Sequence, residues 1–462
     1  MIDSSATPMG RALEDEYCDI AVGLGGDIAG RTRGDDYLRH THALKDGEAV
    51  PWAMNPKIVD ERGLSILASA AETMGAILDK MCRRFLDDPA FRSRFDLPAT
   101  LERYALIPTG YERLIPIARF DVFLDEDTGD FRFCEVTTDG TGGMVNAMEV
   151  AHVIQQTDTY REFSRRHPSV HTMDVAAACG RAVLDTYASW EGSDERHRKP
   201  DLPSLAIVDY ADSVSADEVA GFVDCMRDEG VFVRFADVRD LRMVDVAGER
   251  ILMDVEGPID CVWRRIVPSE AAERPCPGLD ALMEAVEEGV VCMVGGFRTW
   301  PVATKTAFAL LWDDDAAEWL DADELAFVHA HVPHTVRLEE GMDLSAFSDR
   351  EHWIAKPADG FAGAGVVAGL DVDAEAWDEA LGRLAQHHGV VQEYVPQYRT
   401  PTIYGGPVPG WADPTNYPMT SSIEGLCLFD GRFAGAFCRC GSANVITTDT
   451  DWLDMGFLVV DE

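Results

Sequence analysis

The stretch WIAKPADGFAGAGVVAG, residues 353–369, reads as a strand, a lysine, a glycine-rich turn and a second strand. Its lysine stands out because the 462-residue chain holds six lysines against 34 arginines, and residues 200–462 hold only Lys305 and Lys356. Where arginine is used almost everywhere, a retained lysine points to a compact ammonium doing what a planar guanidinium cannot. The backbone N–H groups of a glycine loop can close over phosphate oxygens without interference from side chains. The segment therefore predicts a nucleotide-phosphate site, with ATP as the nucleotide.

Two better-known phosphate loops do not fit. Gly360-Phe361-Ala362-Gly363-Ala364-Gly365 lacks the dinucleotide spacing and no helix follows it, and Lys356 precedes the glycines where a P-loop lysine follows them. A hairpin closing on a phosphate chain remains, although an ordinary glycine-rich turn reads equally well from the loop alone. VVQEYV, residues 390–395, is a short apolar strand with Gln392 and Glu393 inside it, suited to a nucleotide base beside exposed backbone. Lys305, in FRTWPVATKTAFALLWDD (297–314), opens a helix after a loop.

A second constellation is acidic. Arg119 and Asp121 fall on one face of a strand by the two-residue period, and Glu135 and Thr137 share a face of the next strand. Two antiparallel strands then present Asp121, Glu135 and Arg119 together, hard oxygen ligands for magnesium beside a guanidinium that can hold an anionic oxygen. A cross-strand ion pair of Arg119 with Glu135 fits the same pattern.

Outside these motifs the chain is bounded by composition. Hydrophobic residues make up 46% of it, enough for a buried core, and the length suits two to four structural units. No run approaches the roughly 18 apolar residues of a membrane span, and the first thirty residues lack a basic segment followed by an apolar one, which predicts a cytoplasmic protein with no membrane partner. The formal charge of −42 argues against nucleic-acid binding, which needs a basic surface. An acidic surface serves solubility and also attracts a cationic amine substrate. Eleven scattered cysteines without a C-x-x-C pair predict neither a disulfide framework nor structural zinc.

Residues 1–100 read as a helical N-terminal region, with Leu67, Ala71, Met74, Leu78, Met81 and Phe85 forming an apolar helix stripe. Residues 101–200 begin with a hairpin whose turn lies at 125–130, followed by a helix over 174–190 and a charged linker at 191–203. Residues 201–300 show the β-α-β pattern of a parallel sheet, with strands at 205–209, 231–235, 259–265 and 290–294. Residues 301–462 carry both lysines, the glycine loop, helices near 303–312 and 374–387, and strands at 353–356, 390–395, 421–429 and 432–440. The proline-rich segment 398–420 reads as disorder or a substrate-responsive lid.

In order along the chain, RFD, CEVTTDG, the lysine opening a helix, WIAKPADGFAGAG, VVQEYV and GAFCRCG resemble the circularly permuted ATP-grasp ligases, nearest to the glutathionylspermidine synthase-like branch, over roughly residues 100–450. The metal carboxylates precede the ATP lysines, as in permuted members. The resemblance implies an α/β ATP-grasp fold, with 201–300 as its preceding parallel-sheet subdomain. It also implies ATP-dependent joining of a small carboxylate to an amine through an acyl phosphate. Under it, Lys305 and Lys356 hold the ATP phosphates, and the loop with Asp359, Gly360, Gly363 and Gly365 covers them. Gln392, Glu393 and Val395 line the adenine pocket, Asp121 and Glu135 ligate Mg2+, Arg119 grips the acyl phosphate and Arg439 the transferred phosphoryl group. The usual Glu-x-Asn pattern has Thr137 at its asparagine position. Its hydroxyl can still ligate magnesium, and Asp139 is the substitute. Arg264 and Arg265 are candidates for a substrate carboxylate. A degenerate ATP-binding regulatory protein and a phosphotransferase without the amine step are the competing readings.

Overall fold

The computed structural model describes residues 10–192, 199–228, 230–360, 363–406, 417–447 and 450–461. Its centre is an eight-stranded sheet. Trp52–Asp60, Trp452–Val460, Arg432–Gly441, Met419–Phe429, Ile117–Leu124 and Phe131–Thr138 lie side by side in that order, with Arg399–Pro401 and Val170–Thr172 added at its margins. Neighbours run antiparallel except Trp52–Asp60, which is parallel to Trp452–Val460.

One face of this sheet is covered by the long helix Glu61–Asp87, whose stripe residues Leu67, Ala71, Met74, Leu78, Met81 and Phe85 are all buried. They pack on Phe120, Val122, Leu426 and Met455, the alternate residues of the sheet strands. The helices Met144–Ile154 and Val175–Ser189 pack on part of the other face through Val145, Ala147, Cys179 and Phe437. Side-chain alternation then leaves Arg119, Asp121 and Glu135 on the face away from the long helix.

Two smaller sheets flank this core. The parallel sheet orders Cys292–Val294, Cys261–Arg264, Ser204–Asp209 and Phe232–Asp237, with helix Ala216–Asp228 crossing between the last two. The other is antiparallel, with Thr335–Arg337, Val390–Glu393, Trp353–Lys356 and Val367–Ala368 in order.

Some sequence expectations need correction. The N-terminal hundred residues are not only helical, because Trp52–Asp60 enters the central sheet. Its sequence WAMNPKIVD hides a strand behind Asn55, Pro56 and Lys57, yet all but the last residue are buried. Lys57 is tolerated there because Glu126, Glu14 and Glu424 surround its ammonium, the last two at 3.7 Å. The final strand Trp452–Val460 was not anticipated either, although it is wholly buried. Within 398–420, Arg399–Pro401 and Met419–Thr420 pair as strands, which removes those ends from the expected lid, and 407–416 lie outside the described residues. Residues 193–198 of the expected linker lie outside them too. Among the described residues no helix is long and apolar enough to cross a membrane.

Candidate active site

The hairpin Ile117–Leu124 and Phe131–Thr138 sets the geometry. Asp121 is the register partner of Glu135, and the register then slips so that Val122 faces Phe133. Cys134 is the extra residue of this bulge, and its carbonyl is freed to accept from the Lys356 ammonium at 3.1 Å. One irregularity in the hairpin thus supplies both a carboxylate pair and an anchor for a lysine from another sheet.

Arg119 donates as a fork to Asp121, Nε to Oδ1 at 2.6 Å and Nη2 to Oδ2 at 3.0 Å, and its Nη1 donates to the Gly142 carbonyl at 2.7 Å. Arg439 brings a second guanidinium to 3.6 Å from Asp121 Oδ2. Both guanidinium carbons lie over the Phe437 ring, at 5.5 Å for Arg119 and 5.4 Å for Arg439. The cross-strand ion pair of Arg119 with Glu135 that the sequence allowed is not what forms. Glu135 pairs with Lys305 at 3.4 Å.

Lys305 begins the helix Lys305–Leu311, and its ammonium also donates to the Gly360 carbonyl, while its backbone N–H donates to Ala358 O at 2.7 Å. Lys305 thus contacts the start of the glycine turn, which Lys356 precedes in sequence. Lys356 is held by Gln392 Oε1 at 2.7 Å, and Gln392 Nε2 donates in turn to Thr335 Oγ1 at 2.9 Å. Burial disfavours the charged form of Glu135, but Lys305, Lys356, Arg119 and Arg439 outweigh it and hold the carboxyl below its ordinary range.

These groups wall two cavities. One is a narrow cleft of about 80 Å³ lined by Lys356, Gln392, Glu393, Val395, Gly363, Asp121, Glu135, Ile423 and Arg439. The other, of about 330 Å³, is lined by Arg119, Glu135, Thr137, Arg265, Asn146, Arg439 and Asp454. Glu135 and Arg439 belong to both, so the cavities meet at that glutamate and the second arginine.

Of the residues singled out from sequence, Arg119, Asp121, Glu135, Thr137, Lys305, Lys356, Gly363, Gln392, Glu393, Val395 and Arg439 line these cavities or touch residues that do. Gly360 reaches the site through its carbonyl. Asp359 and Gly365 are exposed and line neither cavity, and Phe361 and Ala362 lie outside the described residues. The Gln392 side chain is committed to Lys356 and Thr335, so it serves the lysine. Asp139 cannot stand in for the missing asparagine, because it is fully buried against Arg264 at 3.1 Å and the Thr299 hydroxyl. Arg264 and Arg265 both line the larger cavity, but Arg264 spends its guanidinium on Asp139 and the carbonyls of Gly295 and Ile266.

Several site residues escaped sequence reasoning. Gly425 is one: a Cβ there would meet Arg119 Cδ at 2.7 Å, so the glycine lets the arginine lie across its strand. Asn146 and Asp454 come from a helix and from the unanticipated strand. Asn444 to Thr447 close the narrow cleft opposite Gly363, whose own Cβ would strike Thr447 Cγ2 at 2.4 Å. An isolated aspartate in the apolar run WLDMGFLVV was the available signal for Asp454.

Among the described residues no three His, Cys, Asp or Glu side chains gather as a metal cage. Magnesium takes one or two carboxylates and completes its shell with water and phosphate oxygens. Asp121 and Glu135, paired in register and surrounded by cations, fit that donor set.

No protein-family model and no curated protein matches the sequence. Solved structures do match. A glutathione synthetase-like effector from Globodera pallida is similar over 93% of this chain and 96% of its own, with a TM-score of 0.62 at 10% identity. A protein assigned as gamma-glutamylcysteine synthetase from Methylobacillus flagellatus matches 85% of this chain and 88% of its own at a TM-score of 0.41 and 11% identity. A D-cycloserine synthetase matches 41% of this chain and 59% of its own at 0.26 and 21%. These last two are too distant to add to the fold assignment. The chain is a mixed α/β protein that shares the fold of this glutathione synthetase-like effector.

Proposed function

We propose that the chain is an ATP-dependent carboxylate–amine ligase of the circularly permuted, glutathionylspermidine synthase-like ATP-grasp type, forming an amide through an acyl phosphate with release of ADP and phosphate. The observation that carries this reading is the wall shared by the two cavities. Lys356 and Gly363 of the glycine turn lie on one side of Glu135 and Arg439, Lys305 pairs with Glu135, and Arg119 with a roomier pocket lies on the other side.

In this reading Lys305 and Lys356 neutralise the ATP phosphates, and the turn with Asp359, Gly360, Gly363 and Gly365 folds over them. Glu393 and Val395 flank the base, while Gln392 fixes Lys356. Asp121, Glu135 and the Thr137 hydroxyl are the residues that would hold Mg2+, which when bound offsets charge on the phosphates. Arg119, fixed by Asp121 and Gly142, orients the carboxylate and stabilises the acyl phosphate. Arg439 supports the phosphoryl group in flight. Phosphoryl transfer of this kind needs positioning and charge stabilisation more than a covalent residue. Residues 101–200 would supply the metal and acyl side, 201–300 the parallel-sheet subdomain and 301–462 the ATP side.

The test incubates the protein with ATP, Mg2+ and a panel of small carboxylic acids, with hydroxylamine as the nucleophile. An acyl phosphate is trapped as a hydroxamate, which forms a coloured ferric complex, and ADP appears in equal amount. Nucleotide binding without hydroxamate across the panel would favour a catalytically degenerate ATP-binding protein. ADP with a stable phosphorylated product would favour a phosphotransferase.

A further inference from the structure

Asp454 is fully buried at the wall of the larger cavity. Its Oδ2 accepts from Asn146 Nδ2 at 3.1 Å, and its Oδ1 has no hydrogen-bond partner among the described residues. An aspartate oxygen buried without a partner is a cost to folding, so its retention calls for a use. Its strand places it as the register partner of Arg439, on the sheet face that carries Arg119 and Glu135.

Resting on the ligase reading above, we propose that Asp454 is the general base that takes a proton from the acceptor amine as it attacks the acyl phosphate. An ammonium loses two protons on becoming an amide nitrogen. As the nitrogen lone pair forms the C–N bond, the C–O bond to phosphate breaks with its electron pair going to the leaving oxygen. One proton passes to Asp454 Oδ1 and the other leaves with phosphate as HPO4²⁻, so charge and atoms balance. Asn146 holds the other oxygen and so fixes the carboxyl plane.

The groups around Asp454 suit this work. Burial raises its carboxyl, Arg439 on the adjacent strand, Asn146 on the helix Met144–Ile154 and Arg119 two strands further on oppose that rise, and Glu218 on the helix Ala216–Asp228 adds to it. Trp52, its register partner on the remaining side, carries no charge. The outcome is a carboxyl pushed up to about 7, where a base balances availability against strength. The raised value also means that ionised Asp454 is not there to stabilise the fold.

The experiment compares the wild-type protein with Asp454→Asn, using an acid that gives hydroxamate and a panel of amino acids and diamines as acceptors. Hydroxylamine needs no base, because it is neutral at pH 7, so hydroxamate formation reports the acyl phosphate alone. The expected result is unchanged hydroxamate formation with a loss of at least 100-fold in amide formation. The wild-type amide rate should rise with pH through about 7, a limb missing from the variant. Equal amide rates in the two proteins, or the same limb in both, overturn the proposal and leave the ligase reading standing. A variant that loses hydroxamate formation as well shows Asp454 to be structural and also overturns it. A wild-type protein that forms no hydroxamate with any acid overturns the ligase reading and this proposal with it.

Discussion

The ammonium of Lys305 lies 3.4 Å from Glu135 Oε2 and also donates to the Gly360 carbonyl, so one side chain ties the acidic hairpin to the glycine turn. The lysine is thereby poised between a carboxylate and the loop that would close on phosphate. Lys305→Ala frees the loop and unpairs a carboxylate that is partly exposed, so water can take up much of the lost contact. The expected outcome is a rise of at least tenfold in the ATP concentration needed for half-maximal ADP release, with a melting temperature within a few degrees of wild type. An unchanged ATP requirement in that assay would count against a phosphate role.

Lys356 behaves differently because it is 5% exposed and holds two acceptors, the partly buried Cys134 O and the buried Gln392 Oε1. Lys356→Ala leaves both without a donor, at about 1–3 kcal/mol for each buried group. It should therefore lower thermal stability measurably as well as weaken ATP binding. Lys356→Arg keeps the charge but forces a larger planar group between the bulge and Val390–Glu393, so it should not restore activity. Differential scanning fluorimetry with and without an ATP analogue separates the two effects.

Glu135 contributes stability through its cations. Its carboxyl is held below the ordinary 4.5, so the contribution is fully present above that pH and is lost as the pH falls through the lowered value. Glu135→Gln should flatten this acid-side loss, and near neutral pH it should abolish any rise in melting temperature that Mg2+ adds to that produced by ATP analogue alone. A variant that keeps the full Mg2+-dependent rise would remove Glu135 from the metal.

How much of this was legible in the sequence depends on whether the signal was local. The lysine scarcity, the RFD and CEVTT strands and the stripe from Leu67 to Phe85 depend on spacing within one element, and the structure brings their residues into one core and one site. What escaped depends on long-range pairing. Trp52–Asp60 is a strand only because Trp452–Val460 lies beside it, and Lys57 is buried only because three glutamates from distant segments meet it. Likewise, the sequence placed Arg119 near Glu135 but not the bulge at Cys134 or the approach of Lys305, which redistribute the ion pairs.

The Lys57 cluster makes a separate prediction about stability. Burial opposes the charge on Lys57, but Glu126, Glu14 and Glu424 keep it protonated. Burial pushes Glu14 up to about 8 despite the lysine, so the cluster carries fewer negative charges than its three carboxyls suggest. Lys57→Met removes the cation from the centre and leaves Arg11, at 3.2 Å, as the ion-pair partner of Glu126 among the described residues. Breaking a buried pair from one side costs about 3–5 kcal/mol. Urea unfolding at pH 7 should show a loss of that order. A loss below about 1 kcal/mol would mean that the cluster relaxes by protonation.

Gly425 offers the sharpest test of the arginine geometry, because it binds nothing itself. It pairs in register with Asp121, and Arg119 lies across the space where a side chain would stand, with Cδ at 2.7 Å and Nε at 2.9 Å from an added Cβ. The carbonyl of Phe437 lies at 2.9 Å on the other side, so Cβ cannot escape by a small strand shift. Gly425→Ala must therefore push the guanidinium off its fork with Asp121 and off the Phe437 ring. If Arg119 orients the carboxylate and the acyl phosphate, hydroxamate formation should fall by at least tenfold. ATP-analogue binding should change little, since the lysines and the glycine turn are untouched. Because misplacement by about 1 Å at a reacting centre can cost 100-fold, the loss should appear in kcat more than in the ATP requirement. Full hydroxamate formation by a folded Gly425→Ala protein would show that the position of Arg119 does not govern the acyl step.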